Sequence, residues 1–132
     1  MILSLPLIAL SLIAYNLAIW TGVSFDLELL SLPMISGAVW VLKLGDLLIV
    51  LTLVLLFIEI LKATRTGGNS LVDHALSTVV FIICIIEFLI FDKAATSLFF
   101  FITVVALIDV IAGFSVTIRA ARRDFGVGPS AH

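Results

Sequence analysis

A chain of 132 residues that is 63% hydrophobic and 12% charged, with a mean hydropathy of +1.37, lies far from water-soluble domains, which run at about 45–50% apolar and about 25% charged. Seven Lys and Arg against nine Asp and Glu leave a formal charge of −2, so no basic surface tracks a phosphate backbone and a nucleic-acid-binding module is excluded. What remains is a single-domain integral membrane protein.

A hydrocarbon core of about 30 Å needs roughly 20 mostly apolar residues in a helix, and four stretches qualify. The first is residues 3–22. No Lys or Arg precedes it and no A-x-A site follows, so a retained span is expected rather than a cleaved signal peptide. Residues 24–37 are too short to cross and contain Pro33; a short helix lying at the interface is expected there. Residues 38–61 form the second span. The segment KATRTGGNS, residues 62–70, is a turn in which Gly67 and Gly68 take positive φ without steric cost. Ser70 with Asp73 marks the start of the next helix. Residues 71–91 form the third span, Asp92 and Lys93 a tight connection, and residues 96–120 the fourth. Residues 124–132 carry Gly126, Gly128 and Pro129 and are expected to be a flexible cytoplasmic tail.

Open strands in lipid would leave backbone groups unpaired, and the chain lacks a closed-barrel pattern. The expected fold is therefore all-α: a four-helix transmembrane bundle of antiparallel neighbours, with a short interfacial helix between spans one and two. Basic residues give its orientation. Lys62, Arg65, Arg119, Arg122 and Arg123 collect on one side, against Lys93 on the other with Asp26, Glu28 and Asp92. An excess of Lys and Arg marks the cytoplasmic side. Both termini are expected in the cytoplasm, and the compact loops suit a bacterial inner membrane. Trp20 and Trp40 fall near the outer ends of their spans, as interfacial indoles do.

At about 100° per residue, positions three, four and seven apart share a helix face. Ser4, Ser11, Tyr15, Ala18 and Gly22 align in span one, and Ala38, Gly45, Thr52 and Glu59 in span two. Asp73, Ser77, Val80, Cys84 and Glu87 align in span three. Thr103, Ala106, Gly113 and Thr117 align in span four, with Asp109 at the stripe's edge. Helices in lipid associate through small residues and polar contacts, so these stripes are the expected interhelical faces.

Ionisable side chains within spans are the candidate functional residues. Each costs about 2.5–3.5 kcal/mol at a helix centre, while Leu, Ile, Phe or Val returns about 0.3–0.6. Tyr15, Asn16, Lys43, Asp46 and Glu87 approach one level in the outer half. There Lys43 can pair with Asp46 on its own helix or reach Glu87 across the bundle. Asp109 lies midway along span four with no evident cation at its depth. Together Asp109, Glu87, Asp46 and Lys43 form a candidate intramembrane proton or ion site. Glu59, Asp73, His74 and Arg119 form a second candidate cluster, at the cytoplasmic interface.

Chemistry of other kinds does not assemble. Cys84 is the only cysteine, and His74 and His132 are the only histidines. They cannot complete a usual zinc or copper shell or a bis-histidine haem. No phosphate-loop, dinucleotide, metalloprotease or nucleophile-elbow motif occurs. No catalytic residue, cofactor or metal is expected, and an enzyme is the weakest reading. The expected function is a non-catalytic accessory, assembly or stabilising subunit of a larger membrane complex. The alternative is a homo-oligomeric ion channel or proton-coupled small transporter. Expected partners are membrane lipids and other membrane subunits or further copies of the chain.

Overall fold

Helix α1 runs Ile8–Thr21, a stretch of 14 residues, which at 1.5 Å per residue is about 21 Å long. It belongs to a computed structural model that describes residues 6–64 and 70–127. The helix stops at Gly22, whose φ of 82° is left-handed. The Val23 N–H donates to the Ala18 carbonyl at 2.9 Å and the Gly22 N–H to the Ile19 carbonyl at 3.2 Å. That closure satisfies the last carbonyls of the helix, and a residue with a Cβ adopts it only under strain.

The segment that follows corrects two expectations. There is no interfacial helix between α1 and the next helix. Strand β1, Glu28–Pro33, pairs antiparallel with strand β2, Val39–Lys43, in a two-stranded hairpin. Leu30 faces Leu42, Leu32 faces Trp40 and Pro33 faces Val39, with a bulge between Glu28 and Leu30. The Gly37 N–H donates to the Met34 carbonyl at 3.0 Å, and Gly37 holds a φ of 94°. This is a turn closed by a left-handed glycine, the geometry that three-residue hairpin loops use. Pro33 ends β1, where its missing N–H removes little pairing. The pairing partner, Val39-Trp40-Val41, is β-branched and aromatic, and had been expected to open the second span.

That span is instead helix α2, Leu44–Thr64. Its first turn is fixed from the chain before it. The Leu44 N–H donates to the Leu27 carbonyl at 2.9 Å and the Gly45 N–H to the Phe25 carbonyl at 3.0 Å. The Asp46 carboxylate accepts the Lys43 backbone N–H at 3.1 Å, half of a capping box. Helix α3 is Ser70–Ile90. A single 3-10 turn, Asp92–Ala94, leads into helix α4, Ser97–Val127. Thr96 caps α4, its Oγ1 accepting the Phe99 N–H at 3.2 Å. The helix continues through Asp124 and Gly126, into the stretch expected to be a tail. The Gly67–Gly68 turn and residues 128–132 lie outside the described residues.

Helix α4 is the hub, packing most extensively on α3 and α2, while α1 lies across the three others and rests only lightly on α3. Of the apolar stretch of α4, 39% is buried, against 22% for α2 and for α3. The shared core includes Leu12, Tyr15, Leu55, Val80, Cys84, Phe99, Ile102 and Ala106. The aligned stripes face inward: Ser11, Thr52, Glu59, Ser77, Cys84, Ala106 and Asp109 are all buried. Two positions depart from their stripes: Ala38 belongs to the exposed hairpin loop, and Gly22 ends α1 in an exposed turn. Leu, Ile, Val and Phe side chains cover the outside of every helix. Among the described residues, 3 helices are long and apolar enough to cross a membrane, within α2, α3 and α4. Helix α1 is equally apolar but shorter than a hydrocarbon core is thick.

Candidate functional site

The interior holds two polar regions, one toward each end of the bundle. The first gathers a side chain or backbone group from every helix. Glu59, 6% exposed near the end of α2, accepts the backbone N–H of Leu7 at the start of α1. A helix N-terminus leaves its first N–H groups without partners and carries partial positive charge, so a buried carboxylate there holds α1 against α2. The same Glu59 oxygen lies 3.5 Å from Lys62 Nζ, one turn on. Asp109 on α4 is 7% exposed and accepts a hydrogen bond from Ser77 on α3. It lies within electrostatic range of both Glu59 and Lys62, so a cation does stand near its level. The expectation of a solitary Asp109 missed this because Lys62 had been assigned to the connecting turn, whereas α2 carries it inside the last helical turn.

His74 completes this region. Its ring is 5% exposed and lies against Gly113 of α4. A Cβ built at Gly113 would stand 2.4 Å from His74 Nδ1, so the glycine is what admits the imidazole between α3 and α4. The ring also lies 6.0 Å from Phe114, centroid to centroid. Nε2 of His74 and Oδ1 of Asp73 are buried with no hydrogen-bond partner among the described residues. Glu59, Asp73, His74 and Asp109 thus lie toward one end of the bundle. Arg119 lies on α4 beyond Gly113, and its side chain falls outside the described residues.

The second region lies between α1 and α3. Asn16 Nδ2 donates to Glu87 Oε1 at 3.2 Å and to the Leu12 carbonyl at 2.9 Å. The other Glu87 oxygen, Oε2, is buried without a donor among the described residues. These groups line a groove of about 550 Å³ together with Trp20, Phe91 and Lys93. Lys43 and Asp46 are not part of it. Both are exposed at the start of α2 and line a separate depression with Asp26. Lys43 therefore does not reach Glu87, and its backbone rather than its ammonium is what Asp46 binds.

Leu12, Val80, Cys84, Ile102 and Val105 separate the two regions. Ser11 Oγ and Thr52 Oγ1, 2.7 Å apart, are a hydroxyl pair within that layer. Among the described residues no group of three or more His, Cys, Asp or Glu is arranged to hold a metal ion. The residue pattern places Ser77 and Gly113 on inward stripes but in neither candidate site, and Lys93 only in the connection between spans three and four. Gly113 lies four positions from Asp109 on the same helix, a spacing that signals close approach beside a polar contact.

Fold and site together define a small helical bundle, compatible with a membrane, whose interior acids bind other parts of the bundle and whose surface carries an exposed, largely apolar hairpin. Comparisons with protein families, curated proteins and solved structures give no match for this chain.

Proposed function

We propose that this chain is a non-catalytic assembly or stabilising subunit of a larger complex in a bacterial inner membrane. In this reading the apolar stretch of residues 3–22 adds a fourth crossing, both termini face the cytoplasm and the hairpin lies outside. The observation that carries the proposal is the hairpin. Residues 29–42 contain no charge, and Leu29, Leu30, Leu32, Met34, Ile35, Val39 and Trp40 are exposed. A two-stranded hairpin is marginal alone in water, and an exposed apolar edge is a template for pairing. Hydrocarbon suits it no better, since each outer edge would present unpaired N–H and C=O groups to lipid. A protein surface supplies both the apolar cover and the missing hydrogen bonds.

Isolation from host membranes in a mild detergent tests this. The native chain is expected to bring down a stoichiometric membrane partner. Ile35→Lys with Val39→Lys, both at exposed positions, is expected to reduce that recovery at least tenfold while leaving thermal unfolding unchanged. A lone monodisperse species from the native chain overturns the proposal.

One observation favours the second reading, a proton-coupled or channel-forming oligomer: the proximity of buried Asp109 to buried Glu59 and to half-buried Lys62. Proton flux into proteoliposomes separates the two. A subunit of the assembly type shows background flux, unchanged by Asp109→Asn, Glu87→Gln and Asp46→Asn in one chain. Flux above background that this triple variant abolishes establishes the second reading instead.

A further inference from the structure

The hairpin blunts one of its two edges and leaves the other open. Its hydrogen bonds fix which backbone groups point outward. Near the turn the Met34 N–H donates to the Ala38 carbonyl at 2.7 Å, and at the base the Leu44 N–H donates to the Leu27 carbonyl at 2.9 Å. Between those points bonded and non-bonded pairs alternate. Leu32 bonds with Trp40 and Leu30 with Leu42, whereas Ser31, Pro33, Val39, Val41 and Lys43 turn their backbone groups away from the opposite strand. Lys43 shows this phase directly, since its N–H goes to the Asp46 carboxylate at 3.1 Å. On β1 the outward row is broken: Pro33 has no N–H, and the bulge between Glu28 and Leu30 interrupts the ladder beside Ser31. Both features keep an edge strand from pairing. The row on β2 is whole. Val39 and Val41 each present an N–H and a C=O without a partner among the described residues, and Val39 and Trp40 are exposed.

We infer that the β2 edge is the docking site and that its occupant is an extended, uncharged segment of a partner subunit, added to the hairpin as a third strand at Val39 and Val41. The inference rests on the assembly reading and names the form in which the partner is held. A helix bonds its own N–H and C=O groups internally, so an extended segment is what brings donors and acceptors at the spacing of alternate strand residues. Residues 29–42 carry no charge, and a charge on the incoming segment would be desolvated there without a counter-ion. The residue opposite Trp40 shares a face with Trp40 and Leu32, a place suited to a β-branched or aromatic side chain. The Gly37 turn ends the open edge on one side and the Asp46-held Lys43 N–H on the other. A third strand also takes the hairpin out of the marginal two-stranded range.

Proline substitution separates the two edges. Val41→Pro removes an outward N–H from β2 and spares every bond between β1 and β2, and Ser31→Pro does the same on the blunted edge. Each full-length chain is recovered from host membranes in a mild detergent. Val41→Pro is expected to lower partner recovery about tenfold, and Ser31→Pro to leave it at the native level. A benzophenone side chain placed at Val39, with the backbone intact, is expected to crosslink to an uncharged segment of the partner. Undiminished recovery with Val41→Pro, or an equal loss with Ser31→Pro, overturns the inference while the assembly reading stands. So does a crosslink from position 39 to a helical segment of the partner or to a second copy of this chain. A native chain recovered without any partner overturns both.

Discussion

Tyr15→Ala is expected to lower the stability of the bundle by about 3 kcal/mol or more, the range for deleting a buried aromatic side chain. Tyr15 is 1% exposed and is the largest of the fully buried side chains among the described residues. Its ring stacks on Phe25 at 4.9 Å and meets Phe99 edge-on at 4.9 Å. Its hydroxyl donates to the Lys93 carbonyl at 2.9 Å and lies 2.8 Å from Thr96 Oγ1. Because the single phenolic proton goes to Lys93, the Thr96 hydroxyl supplies the proton of the second bond. Thr96 in turn caps α4. One side chain on the shortest helix thereby fixes the hairpin approach, the α3–α4 turn and the start of the hub helix. Lipid outside the bundle is as apolar as the core, so the loss comes from the cavity and from lost dispersion contacts more than from transfer to water. Tyr15→Phe keeps the rings and gives up the two hydrogen bonds, for which about 1 kcal/mol is expected. Reversible unfolding in mixed micelles measures both. Equal losses for Ala and Phe would show that polar contacts, not ring packing, hold this end together.

Gly113→Ala is expected to destabilise the other end, and His74→Ala to relieve that loss. Two effects oppose each other at this position. Alanine is a better helix former than glycine by about 1 kcal/mol. Its Cβ, however, would stand 2.4 Å from His74 Nδ1 and 2.7 Å from Cε1, so the ring or one of the helices must move. Overpacking of this kind costs about 1–3 kcal/mol, and the ring, 5% exposed with Phe114 beside it, has little room to withdraw. The overlap wins. In the double variant the clash is gone and the helix gain remains, so the pair is coupled by about 1–3 kcal/mol. Additive losses in the same unfolding assay would mean that the two residues do not share the packing described.

The two ends differ in how much of them was legible in the residue pattern. The inward face of each helix was, because it depends on a local periodicity: Ser11 and Tyr15, Thr52 and Glu59, Ser77 and Cys84, and Ala106 and Gly113 are all buried. Small and polar side chains at sevenfold spacing have no other way to be covered. The hairpin was not, because its signal is split. The stretch before Pro33 looks like a short broken helix until Val39-Trp40-Val41 is recognised as its partner, and that segment is apolar enough to belong to the following span. Pairing is a relation between two segments, and hydropathy sees each one separately.

Depth was misjudged for a related reason. Asp109 looks isolated in the sequence because Lys62 reads there as part of the connecting turn rather than of α2. Glu59 and Lys62 come close to it only because α2 packs on α4. Likewise Lys43 and Glu87, matched by level, belong to different depressions, since α1 and α3 form one and the start of α2 the other.

Composition and spacing, then, already establish a greasy helical chain, the face each helix turns inward, and the acids that must find partners. These follow from the solvent preference and angular position of single residues. Which acid meets which donor, that Glu59 caps α1, that Gly113 seats His74, and that residues 28–43 leave the bundle as paired strands follow from the arrangement of the helices around α4. Contacts between distant segments are fixed by packing geometry, which no single stretch of sequence contains.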